Sequence, residues 1–443
     1  MSPWIGIIAV LAALGLLGAL AKAFQKFLSA ELSRKAVHVG MGGVCLGFPW
    51  IFREVWPVIV LAALAVAGLA ALRVLPALKA RFGSVLGGVE RQSFGEFYFP
   101  VAVAIVFVLS RGNPLMYGIP VLTLTVADSV GALVGGRYGM ARYRTDEGLK
   151  SAEGSLAFFT AAFLSCHIPL LLFSETGRAE TLLISLTAGF LVMLMEAVAW
   201  RGQDNLIIPV GMFVLLQIYL PMSAEALFVR LLVMVALVII VLLWRKRTTL
   251  SDSAVLAGAL AGYALWALGG WFWLLPPLLL YVVYVRLPAF PADARPVQNL
   301  HAVTRVMAGG FFWLILHEVS ADSQFLLPFF LCMAAHTGNI TTARLRVVKP
   351  HLSNRTILLI GGIVPVALFG LLGVAGIFFG AWPPVALLCL PVSVIVSVAL
   401  FYPMWPVEHL PAQKLRIWAS ETLIAVLASL PGLLPLFTQH VLR

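Results

Sequence analysis

Residues Thr123 to Phe158 read TLTVADSVGALVGGRYGMARYRTDEGLKSAEGSLAF. The stretch begins inside an apolar run that Asp128 interrupts. A carboxylate in lipid is costly and usually functional. Gly131, Gly135, Gly136 and Gly139 follow, leaving backbone open to close approach. Arg137, Arg142, Arg144 and Lys150 come next, and Glu153, Gly154 and Ser155 lead into another apolar run. Carboxylates among cations and glycines suit a magnesium-bound phosphate better than a packed core. The bland alternative is a helix-packing aspartate followed by a solvated loop.

Around this stretch the chain has 443 residues, 61% hydrophobic and only 11% charged. Its mean hydropathy is +1.00. No water-soluble domain of this size needs so much apolar surface, and runs long enough to span a bilayer recur throughout. Candidate spans lie near residues 4–21, 36–52, 56–72, 97–110, 118–136, 155–174, 182–199, 206–220 and 226–244. A second series lies near 254–270, 271–286, 303–317, 324–336, 356–380, 383–402 and 417–437. The expected fold is therefore all-α, a polytopic transmembrane helical bundle of about 14–16 spans in two halves. The run from Trp4 to Ala21 lacks a preceding basic segment and a cleavage site, and reads as the first span.

The formal charge of +11 resembles that of a nucleic-acid binder, but the basic residues occupy short loops between spans. One set of alternate loops holds Lys22, Lys26, Arg34 and Lys35, then Arg73, Lys79, Arg81 and Arg91, then the Arg137–Lys150 group. The same side continues through Arg201, Arg245–Arg247, Arg286, Arg295, Arg305, Arg344–Lys349, Arg355, Lys414 and Arg416. That is the positive-inside pattern, and it assigns these loops to the cytoplasm. With an even span count, both termini lie on the other side. The four cysteines (Cys45, Cys166, Cys332, Cys389) are scattered in apolar contexts and read as structural thiols. The basic run from Trp244 to Ser253 divides the chain into residues 1–247 and 248–443.

Four polar constellations fall on the predicted cytoplasmic side of the first half. Glu31 to His38 precedes the second span, with Arg34 and His38 four residues apart on one helical face. Arginine there can hold two phosphate oxygens, although snorkelling interface residues are an equal alternative. Glu90 to Pro100 brings Gly95 and Glu96 into a span. The opening stretch is the third, and it matches neither GxxxxGK(S/T) nor GxGxxG. The fourth is Glu196 to Pro209, where Glu196, Asp204 and Asn205 offer oxygen ligands or a general base. Cations, carboxylates and glycines gathered on one membrane surface point to a soluble anionic ligand meeting a lipid.

The series RKxxH, FGExYFP, ADSxGAxxGxRxG with KSxEGS, and ExxxxRGxDNxxxP resembles the polyprenol kinase family over roughly residues 20 to 245. That family takes in dolichol, phytol and farnesol kinases and the yeast-type CTP-dependent diacylglycerol kinase. The resemblance implies an integral membrane enzyme that phosphorylates a lipid alcohol, commonly from CTP, with magnesium as cofactor and its site on the cytoplasmic side. It implies that Asp128, Lys150, Glu153 and Gly154 belong to the nucleotide and metal site, with Arg34, Lys35 and His38 nearby. Glu196, Asp204 and Asn205 complete it. Asp128 and Glu153 are the expected metal ligands. Arg34, Lys35, Gly131, Gly135, Arg137, Lys150, Ser151 and Gly154 are the expected nucleotide contacts, and Glu96 an edge residue. Asp204 or His38 is the expected base.

The second half bears a fainter resemblance to the membrane family of plant phytyl-phosphate kinases, through His301–Gly310 (HAVTRVMAGG) and Cys332–Leu345 (CMAAHTGNITTARL). Where that family carries acidic residues, this chain has His336, Thr337 and Asn339. A degenerate or substrate-guiding domain is expected. Two rival readings stand beside the kinase: a CTP-dependent cytidylyltransferase acting on phosphatidate or a prenyl phosphate, and a transporter.

Overall fold

The computed structural model describes residues 2–24, 27, 29–75, 94–145, 148–244, 247–290, 298–320, 325–404 and 415–434. Glu90 to Ser93 of the second constellation and the loop cations Lys26, Lys79, Arg81, Arg91, Arg245, Lys246, Arg295 and Lys414 lie outside the described residues.

The chain is helical almost throughout, as its composition requires. Among the described residues, ten helices are long and apolar enough to cross a membrane, and Gly95–Ser110, Asp204–Tyr219, Trp271–Arg286 and Ala419–Leu433 are shorter apolar helices. In hydrocarbon every backbone amide and carbonyl must be satisfied within the protein, and a helix does this within one segment. Many large apolar side chains, such as Trp4, Ile8, Leu172, Ile239 and Phe378, remain exposed on the helix surfaces. A bilayer rather than water suits such surfaces.

The chain forms two compact units, Met1–Leu232 and Val233–Arg443. The first contains α1 (Pro3–Phe24), α2 (Ala30–Leu46), α3 (Phe48–Ile51), α4 (Trp56–Val74), α5 (Gly95–Ser110) and α6 (Pro114–Tyr138). A short hairpin follows, β1 (Arg142–Thr145) antiparallel to β2 (Gly148–Ser151), with Tyr143 opposite Lys150. Then come α7 (Ala152–Phe173), α8 (Arg178–Val198), α9 (Asp204–Tyr219) and α10 (Ala224–Trp244), which runs past the unit boundary. The central helix is α6, packed against α2, α5, α7 and α9.

The second span starts earlier than its apolar run suggests. Ser29 caps α2 by accepting a hydrogen bond from the Leu32 amide, and the helix ends at Gly47 rather than near residue 52. Glu31 to His38 is thus the first half of α2 itself rather than a segment ahead of it. The charge that hid the helix is largely paired within the fold, as described below.

The second unit contains α11 (Asp252–Gly269), α12 (Trp271–Arg286), α13 (Leu300–Ser320), α14 (Leu326–Val348), α15 (Asn354–Phe378), α16 (Ala386–Phe401) and α17 (Leu415–Ala428). Its centre is α14, packed against α12, α13, α15, α16 and α17. The helix does not stop near residue 336, where its apolar run ends. It continues through His336, Thr337 and Asn339, all buried, to Val348. Thr337, Thr341 and Thr342 donate their hydroxyls to the carbonyls four residues back, so these polar side chains are satisfied without leaving the helix.

Candidate active site

The floor of the site is the contact between α2 and α6. Lys35, His38, Gly42 and Cys45 recur at helical spacing on one face of α2. Tyr117 of α6 donates its hydroxyl to the Cys45 carbonyl at 2.8 Å. Further along, a Cβ at Gly42 would sit 2.0 Å from Thr125 Oγ1, so only glycine permits this approach. The helices run antiparallel from these two contacts, and the next pair in register is Lys35 with Asp128. Lys35 Nζ donates to Asp128 Oδ2 at 2.6 Å and to the Asp128 carbonyl at 3.3 Å. Lys35 is 4% exposed. His38 Nε2 lies 3.6 Å from the same carboxylate oxygen and has no hydrogen-bond partner among the described residues. Phe99 of α5 covers the imidazole edge-on, with centroids 5.2 Å apart.

The glycines of the opening stretch lie on the other contact of α6. Gly135 approaches Gly154 so closely that a Cβ on either would fall 3.2 or 2.9 Å from the other's Cα. A Cβ at Gly131 would meet the Phe158 side chain at 3.0 Å. Small residues let membrane helices approach to backbone contact. Ser151 caps α7, accepting from the Gly154 amide. The structure thus places Gly131, Gly135, Ser151 and Gly154 at a helix–helix junction, and this junction sets the hairpin beside the site.

Lys150 on β2 spans the gap to α8. Its ammonium donates to Glu196 Oε1 at 2.7 Å and to the Glu196 carbonyl near the C-terminal end of α8, where the helix dipole also favours a cation. Burial disfavours the Lys150 ammonium, but the Glu196 carboxylate and, further off, Asp204 outweigh it and hold its pKa above the ordinary lysine value. Tyr143, opposite Lys150 in the hairpin, shares a 2.7 Å hydrogen bond with Ser155.

Between α8 and α9 the chain reverses through Arg201 and Gly202, both left-handed at φ 53° and 82°. This turn starts α9 at Asp204, whose carboxylate the helix N-terminus favours. Asp204 lies within electrostatic reach of Lys150 and of Arg34. Beside it, Asn205 Oδ1 is buried with no hydrogen-bond partner among the described residues. Such an atom calls for an explanation, and a bound ligand supplies one.

Arg34, Lys35, His38, Asp128, Lys150, Glu196, Asp204 and Asn205 are thus drawn together from four segments far apart in sequence. Arg34 pairs with Glu31 at 2.8 Å and keeps half its side chain exposed. The remaining candidates have other surroundings. Glu153 accepts from the Ala141 amide at 3.0 Å, tying the hairpin to α7. Arg137 is exposed beside the Tyr138 ring. Glu96 pairs with Arg73 at 2.9 Å, and Arg73 also covers Phe94 and Phe97. The Phe94 amide donates to the Arg201 carbonyl, which ties this group to the α8–α9 turn. Sequence reasoning missed Gly42, Thr125, Tyr117 and Tyr143. A glycine seven residues after Lys35 was the available signal for the first; nothing local marks the others.

A phytol kinase from Synechocystis is 30% identical to this chain over 191 residues, covering 41% of the chain and 76% of that relative. No family model matches the chain. No solved structure matches it either.

Proposed function

The chain belongs to the polyprenol and phytol kinase family, and on that premise we propose that it transfers a phosphoryl group from CTP to an isoprenoid alcohol at the cytoplasmic face of the membrane. The observation that carries this reading is a pair of part-buried lysine–carboxylate contacts, Lys35–Asp128 and Lys150–Glu196, with Asp204 in electrostatic reach of Lys150 and of Arg34. Phosphoryl transfer asks mainly for positioning and charge neutralisation. A site whose carboxylates are already balanced by lysines can accept a polyanion and its metal by exchanging partners.

Magnesium fits the donor set. Among the described residues no cluster of three or more His, Cys, Asp and Glu side chains is gathered for a resident metal. Magnesium usually takes one or two carboxylates and completes its shell with substrate phosphates and water. Asp128, Asp204 and the unpartnered Asn205 Oδ1 supply hard oxygens of that kind. Held by these residues, magnesium would supply charge neutralisation for the phosphoryl group.

The chain's own residues do the rest. Lys150, Lys35 and Arg34 bind and orient phosphate oxygens. His38 accepts the hydroxyl proton at Nε2, which has no competing hydrogen bond and sits against Phe99 on the apolar side. Asp204, at the start of α9 and in electrostatic reach of Arg34 and Lys150, serves the phosphate side of the site. The isoprenoid tail stays between helices in the bilayer. Incubating the purified chain with CTP or ATP, magnesium and a panel of phytol, farnesol, geranylgeraniol and polyprenols tests this reading. A lipid monophosphate detected by mass spectrometry is expected with CTP; no lipid phosphate from any combination overturns it.

A further inference from the structure

The two motifs singled out in the second half, around His301–Gly310 and Cys332–Leu345, each contribute an arginine to one cavity of unit 2. The cavity is about 120 Å³ and is lined mainly by apolar side chains, among them Leu237, Val255, Leu274, Met307 and Phe401. Two guanidinium groups, Arg305 and Arg344, and a single described carboxylate, Glu421, also line it. An ionisable group inside a membrane bundle is a functional-site candidate by default.

Each arginine is fixed in place. Arg344 is 6% exposed, and its Nη1 donates to the Pro288 carbonyl at 3.1 Å. Its guanidinium lies over the Phe290 ring, 4.1 Å from the centroid, with Tyr284 at 5.2 Å. Arg305 Nη1 meets Glu421 Oε2 at 2.9 Å, and Thr422 ties its hydroxyl to the Arg305 carbonyl. His336 stands 3.8 Å behind the same carboxylate, fully buried. Glu421 is therefore already matched by a cation, which argues against a cationic ligand. Two donors at the wall, Arg305 Nε and Tyr281 Oη, are buried with no hydrogen-bond partner among the described residues. A buried donor left unsatisfied is costly, and an anionic oxygen would satisfy it.

We propose that this cavity binds an amphiphile with a phosphate head, the head against Arg305 and Arg344 and the chain along the apolar wall. Arginine suits this task because its planar fork matches phosphate oxygens and is weakly hydrated. An apolar cavity of about 150 Å³ holds a benzene ring, so this one takes a head group and a few carbons, with the rest of the chain in the bilayer. A lipid phosphate made by phosphoryl transfer and a bilayer phospholipid share this chemistry. The binding belongs to residues of unit 2 and does not depend on the reaction in unit 1.

The test is equilibrium binding of radiolabelled dodecyl phosphate to the full chain in nanodiscs of neutral lipid. Dodecanol, which lacks the phosphate head, and inorganic phosphate, which lacks the chain, serve as the two control probes. Gly258 lines the cavity and has nothing within 4 Å of a built Cβ, so Gly258→Leu adds apolar volume at an open point of the wall. Gly258→Leu and Arg344→Gln should each weaken dodecyl phosphate binding by about tenfold or more, with Arg344→Lys losing less. Glu225→Gln, an exposed position in the other unit and outside its candidate site, should bind as wild type. Competition by phosphatidic acid in the disc assigns the site to a bilayer lipid; its failure assigns the site to a single-chain phosphate. Equal binding of dodecanol, saturation by inorganic phosphate alone, or unchanged binding in both Gly258→Leu and Arg344→Gln overturns the proposal.

Discussion

Lys35 and Asp128, 93 residues apart in the chain, meet at 2.6 Å between two helices that only Gly42 allows to approach. The pair is buried, so each member is costly without the other. Removing one partner of such a pair typically costs about 3–5 kcal/mol, because a charge is left stranded.

Lys35→Met should therefore lower the melting temperature in detergent and abolish transfer. Lys35→Met combined with Asp128→Asn should recover most of the lost stability, since no stranded charge remains, yet stay inactive. Thermal melting and phosphoryl transfer, measured on the same samples, separate the two effects. Equal melting of the single and double variants would show that the pair is not electrostatically coupled.

Gly42→Ala places a methyl group against Thr125 Oγ1. Overpacking of this kind costs about 1–3 kcal/mol. The helices must separate, so activity should fall although the chain still inserts. Thr125→Gly in the same chain removes the obstructing atoms and should restore part of the activity. No recovery in the double variant would mean that Gly42 acts by some route other than spacing α2 from α6.

The Lys150–Glu196 pair has a defined pH signature. Because the folded pKa of Lys150 is raised, its stabilising contribution is fully present below the ordinary lysine value of 10.5. It is lost only as pH rises through the higher folded value. Glu196→Gln leaves burial less opposed, so Lys150 should release its proton at lower pH. Melting curves from about pH 8 to about pH 11 should show wild type losing stability as pH passes the ordinary lysine value, while the variant, less stable at the start, loses less over the same range. Parallel curves would exclude Glu196 as the group that sets the lysine's charge.

His38→Asn keeps a polar side chain of similar reach but cannot serve as a base near neutral pH. Loss of a positioned base typically costs about 10²–10⁴ in rate. The expected result is a fall in kcat of that order with KM for CTP little changed, and loss of the acidic limb of the pH–rate profile. A wild-type profile in this variant would move the base role to Asp204.

The helices were legible in sequence because a bilayer demands long apolar runs, and these stand out in a chain that is 61% hydrophobic. The start of α2 was not, because Glu31, Arg34, Lys35 and His38 break the apolar pattern; Glu31 and Arg34 pair with each other along the helix, while Asp128, which faces Lys35 and His38, comes from far along the chain. The same holds for α14, where His336 and Asn339 look like a span end until the core around them is seen. At the candidate site, the residue types that gather were visible in three of the four motifs, but their pairing was not. Nothing near Lys150 in sequence names Glu196, 46 residues later. The glycines illustrate the ambiguity most directly. Gly131, Gly135 and Gly154 signal a close approach of backbone, but spacing alone does not say whether a phosphate or another helix approaches.

The most direct measurement follows the γ-phosphate of CTP. CTP labelled at that position is supplied to the purified full chain with magnesium and an isoprenoid alcohol, and the label is followed into lipid and aqueous fractions. Label on the lipid with wild type, and its loss with Asp128→Asn, is the expected result. Label released as pyrophosphate, or equal transfer by Asp128→Asn, would contradict a lipid-alcohol kinase centred on Asp128.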